Sequence, residues 1–125
     1  MLSIALPKGS LEEQTLLLFK QAGLEVLRSD RDYTARIDDK RVSKVKLLRP
    51  QEIPNFVEQG YFDLGISGKD WILETGADVL DIADTGYSKR GSASVRLVVA
   101  VPSDAKIFSP REIKPNSKVT TEYPN

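Results

Sequence analysis

The sequence predicts an open α/β sheet, and three observations predict it. Leu2–Leu6 is a short apolar run that stops at Pro7 and leads through Lys8-Gly9 into an apolar-periodic stretch. Residues 33–48 alternate with period two on both sides of a polar turn. Arg49 to Asp70 reads as a strand end, a short helix, a turn, a second strand and a glycine-bracketed loop. In such a sheet, ligands bind beyond the carboxyl ends of the strands.

The elements follow in order. The first strand covers Leu2–Leu6. Pro7-Lys8-Gly9 is a turn, and Ser10 with Glu13 has the spacing of a capping box that opens a helix. That helix turns Leu16, Leu17, Leu18 and Phe19 inward and stops near Gly23. Leu24–Leu27 is a brief strand. Tyr33, Ala35 and Ile37 alternate with Thr34 and Arg36, and Val45 alternates with Leu47, so a hairpin is expected around Asp38-Asp39-Lys40-Arg41. Pro50 and Pro54 suit a helix's first turn, with a kink if Pro54 lies deeper. Ile53, Phe56 and Val57 form that helix's apolar stripe, and Gly60 ends it. Phe62–Ile66 is a strand, Trp71–Glu74 a short helix ended by Gly76, and Val79–Ala83 a further strand. Thr85–Ser92 is polar and glycine-spaced, a loop or linker. Val95–Val101 reads as a buried strand, Ser103 or Asp104 as the cap of a helical turn before Pro110, and Lys118–Thr121 as a last strand.

Composition narrows the chemistry. The 125 residues fit one ordinary domain or part of a two-domain protein. Lys+Arg and Asp+Glu both number 18, so the formal net charge is zero and no broad field exists for nucleic-acid binding. Cysteine and histidine are absent, which excludes disulfides, thiolate or imidazole zinc sites, Cys or His nucleophiles and a His general base. Chemistry must run on carboxylates, cations, hydroxyls, backbone amides or a hard metal such as Mg²⁺. No basic stretch followed by a long apolar run opens the chain, and its longest apolar run, Leu97–Val101, is too short to span a membrane. A cytoplasmic protein is expected.

Five places carry possible chemistry. Lys8-Gly9-Ser10 follows a strand and opens a helix, where free N–H groups and the helix dipole favour an anion; the same residues also make an ordinary turn and N-cap. Gly65-Ile66-Ser67-Gly68-Lys69-Asp70 repeats that layout. Its Gly68 and Lys69 amides suit a phosphate and Asp70 a ribose or base amine, whereas Ser67 and Asp70 also have capping-box spacing. It is not a P-loop. Arg49, at a strand end, suits a bidentate phosphate clamp or a partner for Glu52. Arg31 is flanked by Asp30 and Asp32, and Glu122 ends a strand.

Taken together these segments resemble ATP phosphoribosyltransferase, the first enzyme of histidine biosynthesis. The resemblance rests on Leu6-Pro7-Lys8-Gly9-Ser10-Leu11, Arg49-Pro50-Gln51-Glu52-Ile53-Pro54, Asp63–Asp70, Leu97–Pro102 and Thr121-Glu122-Tyr123-Pro124-Asn125, in the family's order and across essentially the whole chain. It implies two lobes similar to the type II periplasmic-binding proteins, with residues 1–88 forming a nucleotide-binding lobe one and residues 89–125 the linker and start of lobe two. It also implies ATP and phosphoribosyl pyrophosphate as substrates, Mg²⁺ as cofactor, and no nucleic acid or membrane partner. By resemblance Arg49, Lys8 and Glu122 are the catalytic candidates. Gly9, Ser10, Arg31, Gly65, Ser67, Gly68, Lys69 and Asp70 are the substrate-binding ones, and no metal ligand is assigned.

The family's Thr/Gly-rich phosphate loop has no counterpart in these residues, so the chain reads as an amino-terminal portion, inactive alone. A homo-oligomer is expected, with a regulatory subunit similar to histidyl-tRNA synthetase as a further partner. The competing readings are a small-anion or nucleotide-binding module without chemistry, and a structural subunit of the same architecture.

Overall fold

The computed structural model describes residues 1–28, 33–86 and 97–125. Two compact units emerge, Met1–Tyr87 and Ser88–Asn125. In the first unit the elements run β1 (Leu2–Pro7), a 3-10 turn (Gly9–Leu11), α1 (Glu12–Gln21), β2 (Val26–Arg28), β3 (Thr34–Ile37), β4 (Val42–Leu48), α2 (Ile53–Glu58), β5 (Leu64–Gly65) and α3 (Lys69–Thr75). The sheet order is β2-β3-β4-β1-β5. β1 pairs in parallel with β4 on one side and β5 on the other, while β3 is antiparallel to both β2 and β4.

Helices on both faces explain why β1 is apolar and buried from Ile4 onward. Ile4 and Leu6 join Ala35, Ile37, Val45 and Leu47 in a core covered by Leu16 and Phe19 of α1. The intervening Ala5 points the other way, into a second core with Ile53 and Phe62, closed by Phe56 and Val57. The period-two reading of residues 33–48 holds: Ala35 and Ile37 are buried while Thr34 and Arg36 are exposed. Pro54 sits in the first turn of α2, where no kink arises. Gly23 and Gly60 follow the ends of α1 and α2, and Gly76 caps α3, all at positive φ.

Several expectations give way. Leu17 is exposed on the outer side of α1, because a helix packed on one face of a sheet buries only a stripe. β5 shrinks to Leu64–Gly65, although the Ile66 amide still donates to the Ala5 carbonyl at 3.0 Å. Val79–Ala83 forms no strand, and Leu80 and Ile82 are exposed.

Residues 95 and 96 of the expected Val95–Val101 strand lie outside the described residues, as do residues 87–92 of the expected loop. In the second unit the described residues contain no strand at Leu97–Val101 or Lys118–Thr121, and Leu97, Val98 and Val99 are exposed. A buried strand is a pairing relation, and among the described residues of this unit no partner strand pairs with these runs. Its one regular element among the described residues is a 3-10 turn, Pro110–Glu112, capped by Ser109 rather than by Ser103 or Asp104; the Ser109 hydroxyl accepts from the Arg111 amide, and Glu112 accepts from the Ser109 amide.

Candidate functional site

The sheet's direction decides what can meet. Because β4, β1 and β5 are parallel, their carboxyl ends reach one rim. β3 is antiparallel to β4, so its first residues start at the same rim, and β2 ends there. That rim therefore gathers Arg28, Tyr33, Arg49, Lys8-Gly9 and Ser67-Gly68-Lys69. Two hydrogen bonds stitch three of the tips together. The Lys8 amide donates to the carbonyl of Leu48, the residue before Arg49, at 2.8 Å. The Ser67 hydroxyl donates to the carbonyl of Pro50, the residue after Arg49, at 2.6 Å. Arg49 is thus flanked on both sides by the two glycine-bearing turns.

The side chains differ in what they leave available. Arg49 is exposed and makes no ion pair among the described residues; Glu52 reaches it only through its backbone amide, which donates to the Arg49 carbonyl at 3.0 Å. The Lys8 ammonium lies over the Tyr33 ring, 3.1 Å from the centroid. Gly9 adopts φ +75°, a conformation suited to glycine, and its amide lies 3.4 Å from Glu12 Oε2. Lys69 pairs with Asp81 at 3.4 Å on the surface. The Asp70 carboxylate folds back on Gly68, so that a Cβ there would collide with Asp70 Oδ1 and lie 3.3 Å from Cδ1 of the buried Trp71.

Both expected capping boxes fail for one reason: the helices start elsewhere. The 3-10 turn moves the start of α1 to Glu12, leaving exposed Ser10 inside the turn, and Glu12 reaches back to Gly9 in place of Glu13. The N-cap of α3 is Gly68, and the proton of Ser67 is committed to Pro50. A ligand at Ser67 finds an acceptor. Gly65 has a packing role. A Cβ on it would lie 2.5 Å from Ile53 Cγ2 and 2.9 Å from Val57 Cγ2, so glycine lets α2 seat against the sheet. Arg31 falls within 29–32, outside the described residues. Glu122 is exposed in the second unit.

Two rim residues escaped the sequence reading. Arg28 ends β2 and forms an ion pair with Glu12. The rule that singled out Arg49, a cation at a strand's carboxyl end, applies equally to Arg28. Tyr33 is 64% exposed although it immediately precedes β3, where Ala35 and Ile37 are buried.

The opposite rim has another character. There the Asp63 carboxylate accepts the Ser3 amide and hydroxyl, each at 2.7 Å, and these bonds hold its carboxyl below the usual range. Asp39 accepts the Arg41 guanidinium at 2.9 and 2.7 Å and the Arg41 amide at 2.8 Å, and its pKa falls to about 2. These carboxylates are satisfied locally and serve structure.

Among the described residues, Lys8 and Arg49 are rim cations without a carboxylate partner, which suits a polyanion. Among the described residues no group of three or more Asp, Glu, His or Cys could hold a metal. No described helix is long and apolar enough to cross a membrane. A cavity of about 310 Å³ lies away from these residues, against Leu17 and Leu18 of α1 and Thr85-Gly86.

Comparison with known proteins identifies the family. The family model described as HisG, ATP phosphoribosyltransferase, matches residues 49–125. The ATP phosphoribosyltransferase of Thermodesulfovibrio yellowstonii is 46% identical over 121 residues, covering 97% of this chain and 41% of that protein. That of Desulforudis audaxviator is 44% identical, covering 99% and 42%. Among solved structures, the ATP phosphoribosyl transferase (HisG:HisZ) complex from Thermotoga maritima is similar, with TM-score 0.54 and 29% identity over 64% of this chain and 38% of that one. The chain spans about two-fifths of the length of the curated relatives it matches. Matched by the family model over most of its length and by relatives over nearly all of it, this chain belongs to the ATP phosphoribosyltransferase family.

Proposed function

We propose that this chain supplies the nucleotide-binding side of an ATP phosphoribosyltransferase, acting in the first step of histidine biosynthesis. The observation that carries this reading is the pair of hydrogen bonds that set Lys8 and Ser67 on either side of Arg49 at one rim. In the reaction, N1 of ATP attacks the anomeric carbon of phosphoribosyl pyrophosphate, the new C–N bond forms, and the C–O bond to pyrophosphate breaks. The nucleophile belongs to the substrate, which matches a chain without cysteine or histidine. The protein's task is to align two polyanions and to stabilise the departing pyrophosphate.

Arg49 and Lys8 hold phosphate charge in this reading, with Gly9 and Ser10 lining their turn. Asp70 contacts the nucleoside, beside Ser67, Gly68 and Lys69. Arg31 adds a cation. Residues 1–88 are lobe one of a type II periplasmic-binding-like fold and residues 89–125 the start of lobe two, which carries Glu122 as a further catalytic candidate. Mg²⁺ would add its charge to that of Lys8 and Arg49 in neutralising the phosphates, and no described side chain is assigned as its ligand. The Thermotoga maritima relative is a HisG:HisZ complex. By analogy this protein forms a homo-oligomer and takes a regulatory subunit similar to histidyl-tRNA synthetase. The cytoplasm, where ATP is abundant, is its compartment.

A chimera tests the assignment. Joined to the remainder of the Thermodesulfovibrio yellowstonii relative, the chain is expected to release pyrophosphate only when ATP, phosphoribosyl pyrophosphate and Mg²⁺ are all present. A folded chimera that releases none, or that works equally without ATP, contradicts the reading.

A further inference from the structure

The rim cations fall into two groups. Arg28 is paired with Glu12, and Lys69 with Asp81. Lys8 has no carboxylate partner among the described residues; its ammonium rests on the face of Tyr33. Tyr33 is 64% exposed, so core packing does not account for it. Its backbone is fixed, because the Leu47 amide donates to its carbonyl at 2.7 Å. Lys8 is equally fixed at its backbone by Leu48. The two residues, far apart in sequence, meet because β3 begins where β1 ends.

We propose that Tyr33 is a positioning residue: its ring holds the Lys8 ammonium at the carboxyl rim without neutralising it, so that the charge stays available to a phosphate group. This inference rests on the nucleotide reading above. A carboxylate in the same place would also restrain lysine, but it would cancel the field that an anion needs. An aromatic face attracts the cation through its quadrupole and carries no net charge. The ammonium therefore keeps its attraction for phosphate, and its long side chain is already ordered when the ligand arrives.

The test is a double-mutant cycle on the chain, titrated calorimetrically with ATP and with inorganic tripolyphosphate. Tyr33→Leu is expected to weaken both ligands about two- to fivefold, the scale of an exposed cation–π contact. Tyr33→Phe, which keeps the ring, is expected to bind as the parent does. In a Lys8→Ala background, Tyr33→Leu is expected to have no further effect. A loss confined to ATP, or one that persists without Lys8, means that the ring touches the base itself and overturns the proposal. A ligand-free measurement stands beside it. The Lys8 ε-methylene protons are expected to resonate upfield under the ring current in the parent and in Tyr33→Phe, and to return in Tyr33→Leu; unshifted protons in the parent overturn the proposal as well. If neither anion binds the folded parent chain, the nucleotide reading itself falls. Binding with a Lys8-independent Tyr33 effect removes only the role of Tyr33.

Discussion

Arg49→Ala is expected to weaken ATP binding about 10- to 100-fold while leaving the fold intact. A hydrogen bond to a charged group contributes roughly 1.5–3 kcal/mol net, and every 1.4 kcal/mol is about tenfold in affinity. A guanidinium meeting phosphate through two parallel donors belongs at the upper end of that range. Stability is spared because Arg49 is exposed and forms no ion pair among the described residues. Arg49→Lys restores charge without the planar fork, so only part of the affinity returns. The loss shrinks as salt rises, since an open rim is screened by added ions. Calorimetric titration, paired with urea unfolding of each variant, separates the effects. An affinity unchanged within twofold means that the phosphate clamp lies elsewhere.

Gly65→Ala is expected to act on the fold instead. The new methyl would press on Ile53 and Val57, both on the face of α2 that packs against the sheet, and Ile53 is only 1% exposed. Neither neighbour can yield without moving the helix. Overpacking of this kind costs about 1–3 kcal/mol, a large share of the 5–15 kcal/mol typical of a small domain. The urea midpoint should fall accordingly. Gly68→Ala is the comparison. Its φ of −70° suits any residue, and the added methyl meets the far end of the Asp70 side chain and lies 3.3 Å from Trp71 Cδ1, a milder crowding than two packed side chains of a seated helix. Gly68→Ala should therefore keep most of its stability and lose ATP affinity through Asp70. Equal stability of Gly65→Ala and the parent would show that α2 is not seated as described.

The parts of the fold visible in the sequence are those that burial dictates. β1 reads as a strand because both of its faces are covered, and β3 and β4 because alternate residues meet one core. The strand tips at Lys8, Arg49 and Ser67 are legible for the same reason: once strand direction is known, the rim follows. Features set by local hydrogen bonding are harder. Ser10 and Ser67 have capping spacing, yet a 3-10 turn displaces one and the Pro50 carbonyl claims the other. Leu97–Val101 has strand composition, but composition names no pairing partner. The meeting of Lys8 with Tyr33 and of Arg28 with Glu12 depends on which strands become neighbours, and that lies in the topology rather than in any short motif.

The most direct test is to find where ATP sits on the folded chain. Backbone amide resonances followed during an ATP titration should move most at Lys8–Ser10, Arg49 and Gly65–Asp70, with Ser3, Asp39 and Asp63 at the opposite rim nearly still. Shifts concentrated at that opposite rim, or around Leu17 and Thr85, would contradict a nucleotide held at the carboxyl ends of the strands.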